Sequence, residues 1–156
     1  MVVKEASTLG EFIESLRVIN NLNDYYPDFN SWYWNKVIPR IDAGICKILM
    51  GYIKQELVGI SIIKKSSTET KLCALRVKDE FKLKGYSLKL IDDSHKRLDI
   101  VKPLCSVSCD MINDYSRIFI NRYDFDLTHV YNGLYKKNKL EYEFNGNKKL
   151  LTKSGY

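Results

Sequence analysis

Apolar positions along the chain switch between a helical and a strand period, and the switches mark the elements. Val2–Glu5 reads as a first strand. Leu9, Phe12, Ile13, Leu16 and Ile19 recur at three- and four-residue spacing, which predicts an amphipathic helix. Residues 20–30 are rich in Asn, Asp and Tyr and contain Pro27, so they read as a loop. Phe29, Trp32, Tyr33, Val37 and Ile41 predict a second helix, interrupted near Pro39. Three strands follow, at 46–52, 56–64 and 70–77, joined by a hairpin at 53–55 and a polar turn at 65–69. They are Val/Ile/Leu-rich with little polar alternation, as expected of a sheet covered on both faces.

In the second half, residues 87–98 predict a helix with Leu88, Ile91 and Leu98 on one side. Lys89, Asp92, Asp93, Lys96 and Arg97 fall on its other side. A short buried strand at 103–108 precedes a helix at 113–123, in which Tyr115, Ile118 and Phe119 are core candidates. Strands at 128–135 and 140–144 close the domain, and the polar tail 147–156 reads as frayed. The order β-α-α-β-β-β-α-β-α-β-β predicts a single α/β domain over residues 1–146. An antiparallel meander comes first and a parallel crossover later.

Composition narrows the function classes. The 156 residues, 45% hydrophobic and 28% charged, are ordinary for a soluble globular domain. The longest apolar runs, such as 57–63, are too short to span a bilayer. Residues 1–5 lack the features of a signal peptide, so a cytoplasmic location is expected. Cys46, Cys73, Cys105 and Cys109 form no Cys-x-x-Cys pair and read as small hydrophobes in a reducing compartment. His95 and His129 do not complete a ligand set with them, so no metal is expected. The net charge of +6 is spread along the chain, with Lys136-Lys137-Asn138-Lys139 its one dense cluster. No helix-turn-helix, zinc-finger or RNA-binding sheet signature accompanies it. The charge fits solvated lysine faces, part of it aimed at a polyanionic cofactor.

The stretch from Val77 to Leu88 carries the chemistry. A strand-like run leads through Lys82, Leu83, Lys84 and Gly85 directly into a helix-period run. Strand, basic turn with a glycine, and helix N-terminus together make an anion-binding device, because unpaired N–H groups converge there and the helix dipole favours negative charge. A pyrophosphate lying against successive amides needs small residues in its way, which Gly85 and Ser87 supply. Lys82 and Lys84 add charge-assisted contacts.

In this order the chain resembles the GNAT superfamily of N-acetyltransferases. Val77 falls on the family's loop valine, Asp79 on its proline and Lys82 on its arginine or glutamine. Gly85 falls on the key glycine and Ser87 on the final small residue, with Leu90 and Ile91 on the apolar pair of the next helix. A second segment matches the family's Asn-x-x-Ala-x-x-Leu-Tyr-x-x-x-Gly-Phe run through Asn113, Ser116, Phe119, Ile120, Asp124 and Phe125. The ending 139–146 is similar to a compact bacterial branch. The resemblance implies a mixed central sheet of about seven strands flanked by about four helices. It also implies acetyl-coenzyme A as cofactor, held by Leu75, Val77, Lys82, Leu83, Lys84, Gly85, Tyr86, Ser87 and Leu88. Asn113 would contact the pantetheine arm.

The implied activity is direct transfer of an acetyl group to a primary amine of a small molecule, a protein or a charged tRNA. Positive net charge favours the tRNA over a polyamine, and an acidic cleft would revive the polyamine. Many family members protonate the leaving thiolate with a tyrosine where this chain has Ile120, which leaves Tyr115, Tyr123 or a water for that task. Candidate bases are Glu69 and Asp110, which also read as solvated turn carboxylates, and His129, which also reads as a structural strand histidine. Tyr25, Tyr26 and Trp32 lie where the family covers its acceptor site, and the spacing of Phe29, Trp32, Tyr33 and Val37 fits core packing equally. Two other readings stay open. One is a non-catalytic acyl-coenzyme A-binding or protein-interaction module on the same fold; the other is a nucleic-acid-binding domain using the same anion site. A homodimer is compatible with the sequence.

Overall fold

A computed structural model describes residues 1–147; the tail beyond Asn147 lies outside the described residues. Contacts divide the chain into two compact units, Met1–Ile100 and the part from Val101 onward. The expected α/β architecture with seven strands is present. All its ladders are antiparallel, and they form a four-stranded sheet in the first unit and a three-stranded sheet in the second. The parallel crossover expected from the element order is therefore not among the hydrogen-bonded pairs.

The first unit is ordered β1-β2-β3-β4. These strands are β1 (Val2–Glu5), β2 (Cys46–Ile53), β3 (Glu56–Lys65) and β4 (Thr70–Val77). From Leu57 to Ile63 every residue of β3 is buried, so the sheet is covered on both faces there, as its unbroken apolar run predicts. Ile48, Leu49, Met50, Ile60 and Ile62 are at most 1% exposed, and each such side chain contributes roughly 1.5–3 kcal/mol. The β2–β3 hairpin is tighter than the sequence implies. Only Lys54 and Gln55 join the strands, at φ 47° and 71°, the left-handed pair whose twist matches the flanking strands.

Helix α1 (Leu9–Ile19) starts in a capping box. The Thr8 hydroxyl accepts from the Glu11 amide, while the Glu11 carboxylate accepts from the Ser7 and Thr8 amides and from Lys4 Nζ at 2.7 Å. The Lys4 hydrogen bond, then the Ser7 amide, hold the Glu11 carboxyl down at about 2. Since this folded value lies below the ordinary carboxylate value, the box is fully stabilising above about pH 4.5 and its contribution disappears as pH falls towards 2. Thermal melts of wild type and Glu11→Gln should therefore differ at neutral pH and converge across that acidic window; a gap that persists to pH 2 would rule out the charge as its cause.

The segment expected to be a loop at 20–30 is more ordered than that. Leu22 is 4% exposed, and burying it draws Asn20–Asp24 into a 3-10 turn. Helix α2 (Phe29–Trp32) continues through a wide π turn over Tyr33–Val37 and a 3-10 turn over Ile38–Arg40 that accommodates Pro39. Tyr33 is fully buried; its hydroxyl donates to the Phe12 carbonyl at 2.7 Å and meets Ser15 Oγ at 2.8 Å.

Helix α3 (Tyr86–Leu98) packs on β3 and β4. Its buried residues are Leu90, Ile91, Asp93, Ser94 and Leu98, which corrects the expected faces. Leu88 is only half-buried, and Asp93 turns inward because Lys89 Nζ, 2.9 Å from it, compensates its charge. Ser94 Oγ donates to the Leu90 carbonyl and meets Ser61 Oγ of β3 at 2.9 Å, so no buried hydroxyl is left unsatisfied at this seam.

The second unit is ordered β5-β7-β6. Its strands are β5 (Cys105–Ser108), β6 (Leu127–Asn132) and β7 (Leu140–Phe144). Helix α4 (Ile112–Ser116) widens into a π turn over Arg117–Arg122. Phe119 is the core residue of that segment, stacked on Phe125 at 5.1 Å and edge-on to Phe144 at 5.4 Å. Asp124, at φ 53°, takes the left-handed turn that brings Phe125 back onto Phe119.

Candidate functional site

The chain from β4 to α3 lies wholly in the first unit. Among the described residues β4 is the outermost strand of its sheet, with β3 on one side and no strand on the other. Val77 lies against Gly59 of β3 and Leu90 of α3, so Val77 faces α3 and the adjacent Arg76 points to the opposite face. A single 3-10 turn, Asp79–Phe81, leads to Leu83 and Gly85 at φ 60° and 81°. Two left-handed residues around Lys84 fold the loop so that Gly85 forms the N-cap of α3 without any side-chain cap. The amides of the first helical turn, Tyr86 and Ser87 among them, thus face the loop's open side with the positive end of the helix dipole behind them. A Cβ on Gly85 would meet nothing within 4 Å, so the approach to these amides is open.

The lysines expected to meet phosphates are held inside the loop. Lys82 Nζ lies 2.7 Å from Asp79, and Lys84 Nζ donates to the Glu80 carbonyl at 3.1 Å and sits over the Phe81 ring. The Lys82 hydrogen bond and charge hold the exposed Asp79 carboxyl below its ordinary range. Asp79 therefore engages one of the loop's lysine ammonium groups. Exposed pairs of this kind contribute little to stability, so breaking one is easy. If the loop holds coenzyme A, as the resemblance implies, Asp79→Asn should tighten its binding by about two- to fivefold in a calorimetric titration. Unchanged or weaker binding would mean that Lys82 does not reach the phosphates.

The other candidate residues fall as follows. Glu69 is bound by Lys64 Nζ at 2.6 Å. Burial alone would raise its carboxyl, but the Lys64 hydrogen bond and charge outweigh this and lower it, which makes it a poor base. Tyr25, Tyr26 and Trp32 are half-buried, with Trp32 packed against Phe29 at 5.2 Å. Leu75 and Leu88 are half-buried on β4 and α3, and Tyr86 packs towards Phe81. In the second unit, Asp110 is an exposed turn carboxylate paired with Lys139 at 2.8 Å. Asn113 is exposed on α4, and Tyr115 packs its ring on Phe119. His129 stands opposite Glu143 in the β6–β7 register, its ring 4.2 Å from that of Tyr131. Ile120 is an exposed apolar side chain. Burial pushes the Cys73 thiol up to about 12 and raises that of Cys46, so neither is a nucleophile at neutral pH.

Two groups of polar residues were not anticipated. On β7, Glu141 and Glu143 share one face; Glu143 accepts from the hydroxyls of Thr128 and Tyr131. The alternation in Leu-Glu-Tyr-Glu-Phe was the available signal. In the first unit, an open groove of about 680 Å³ runs beside the loop. It is lined by Arg17 of α1, Asn20, Asn21 and Asn23 of the following turn, and Arg76 and Lys78 at the end of β4, among others.

Neither a protein-family model nor a curated protein sequence matches the chain. Solved structures do match. A GNAT-family protein from Desulfovibrio desulfuricans, described as an acetyltransferase, superposes with a TM-score of 0.71 at 12% identity, over 92% of this chain and 96% of that one. Ard1 from Thermoplasma volcanium gives 0.66 at 18% identity, over 92% and 94%. The PaiA N-acetyltransferase from Thermoplasma acidophilum, solved in complex with coenzyme A, gives 0.63 at 17% identity, over 92% and 98%. The chain therefore has the fold of the GNAT acetyltransferases across nearly its whole length. Among the described residues no helix is long and apolar enough to cross a membrane.

Proposed function

We propose that the chain is an acetyl-coenzyme A-dependent N-acetyltransferase that passes the acetyl group directly to a primary amine. The observation that carries this is the uncapped N-terminus of α3 behind a left-handed Gly85, at the end of an outermost strand. The fold match adds weight, since relatives in fold were solved with coenzyme A or acetyl-coenzyme A. The amides of Tyr86 and Ser87 take the pyrophosphate, Lys82 and Lys84 swing from their loop partners onto it, and the outer edge of β4 near Leu75 and Val77 pairs with the amides of the pantetheine arm. The neutral amine attacks the thioester carbonyl; the N–C bond forms, the C–S bond breaks, the thiolate leaves, and the proton shed by the nitrogen passes to water or to the thiolate.

A thiolate is a good enough leaving group to depart without an acid, which makes Ile120 in place of tyrosine compatible with turnover. Glu69 and Asp110 are weak candidates for deprotonation, because each carboxylate is committed to a lysine. Amine-dependent release of free thiol from acetyl-coenzyme A tests the activity. A protein that binds the cofactor but releases no thiol with small amines, peptides or charged tRNA would instead be an acyl-coenzyme A-binding module.

A further inference from the structure

The groove beside the cofactor loop has a charge pattern that the loop's chemistry does not explain. Arg76 is an arginine in an otherwise apolar stretch of β4, and its side chain is only 13% exposed. Its ion-pair partner, Asp79, lies at 3.3 Å and is already held more closely by Lys82 at 2.7 Å. A guanidinium has five donors, cannot lose its charge, and is costly to withdraw from water without acceptors. Arg17, from the last turn of α1, lines the same groove and has no ion-pair partner among the described residues. Lys78 adds a third cation, and its carboxylate partner Glu56 is 3.9 Å away. Asn20, Asn21 and Asn23 supply neutral donors and acceptors along the same wall.

The opposite sign is present too. Glu14, Asp24, Asp79 and Glu80 also line the groove; Glu14 takes the Tyr52 hydroxyl at 3.4 Å and Asp79 is occupied by Lys82. A polyamine entering here would meet three cations, and a purely anionic ligand would meet the carboxylates. A ligand carrying both signs satisfies both walls. We infer that this groove holds the acetyl acceptor, and that the acceptor is an amine bearing an oxyanion, carboxylate or phosphate, which Arg76 and Arg17 bind. The inference rests on the acetyl-transfer reading, because an amine is placed here only if it is to be acetylated. Arg76 is then a specificity-determining residue, adjacent in sequence to Leu75 and Val77 of the proposed cofactor edge.

Matched pairs of small amines test it by backbone NMR on the full chain. Lysine and cadaverine differ by a carboxylate; phosphoethanolamine and ethanolamine differ by a phosphate. The anionic member of at least one pair should shift the amides of Arg17, Asn20, Asn21, Arg76 and Lys78, and its counterpart without the oxyanion should leave them unmoved. Which pair responds identifies the oxyanion. In Arg76→Gln the affinity of that member should fall by about tenfold or more, the loss expected for a charge-assisted hydrogen bond. Arg17→Gln, at an exposed position, should weaken the same ligand. Cadaverine or ethanolamine binding equally well, no response to either pair, or unchanged affinity in both variants would overturn the inference. Acetyl-coenzyme A added to the same samples reports separately on the reading beneath it. Unmoved amides at Lys82–Leu88 would reject the cofactor site whatever the groove does.

Discussion

Gly85→Glu should abolish acetyl-coenzyme A binding while the protein stays folded. The glycine sits at φ 81°, where an L side chain costs about 1–2 kcal/mol. Its missing Cβ faces open space, so a larger residue clashes with nothing in the protein. The Glu side chain occupies instead the approach to the first-turn amides, and sets a negative charge at the proposed pyrophosphate site. Like charges brought together at such a site cost several kcal/mol, which lowers affinity by more than about a hundredfold. Gly85→Ala separates the two effects. It carries the same backbone strain without the charge, and should keep most of the affinity while losing about 1 kcal/mol of stability. Calorimetric titration alongside thermal melts reads both quantities. Undiminished affinity in Gly85→Glu would remove the loop from the cofactor site.

The second large effect is expected at Gly59, on stability. A Cβ there would stand 2.8 Å from the Arg76 carbonyl oxygen, and 3.1 Å from both Leu90 Cδ1 and Val77 Cγ2. The first contact is with backbone of the neighbouring strand and cannot be relieved by a rotamer change. Gly59→Ala must push β4 away from β3 or lift α3 from the sheet. Overpacking of this kind costs typically 1–3 kcal/mol, and the upper end applies because a backbone atom is involved. For a chain of this size, about 3 kcal/mol lowers Tm by roughly 6–12 °C. Since Val77 of the proposed cofactor edge is among the groups displaced, affinity for the cofactor should fall as well. A melt superimposable on wild type would show that β3 and β4 approach less closely here than described.

These two glycines show what was legible in the sequence and what was not. Gly85 could be picked out because an anion lying against successive amides needs a small residue in a short basic turn before a helix; its left-handed φ is what the structure adds. Strand β4 was readable to the residue, since its nearly continuous apolar run is bounded by polar turns on either side. Gly59 carried no such mark; its role comes from the strand and helix packed against it. The buried face of α3 was displaced in the reading because a charge was assigned to solvent, whereas Lys89 lets Asp93 turn inward. Residues 20–24 looked like a loop because one apolar residue, Leu22, set their conformation. The groove beside the loop was hidden for a similar reason. Nothing in the sequence set Arg17 apart, and Arg76 is brought beside it only by alternation along β4 together with the packing of α1 over the sheet.

The most direct test of the cofactor assignment is calorimetric titration of the wild-type protein with acetyl-coenzyme A, and with coenzyme A for comparison. Saturable binding of both, with a dissociation constant on the order of micromolar, is the expected result. Absence of heat with either ligand would contradict it, and would leave an acetyltransferase fold whose α3 N-terminus serves some other partner.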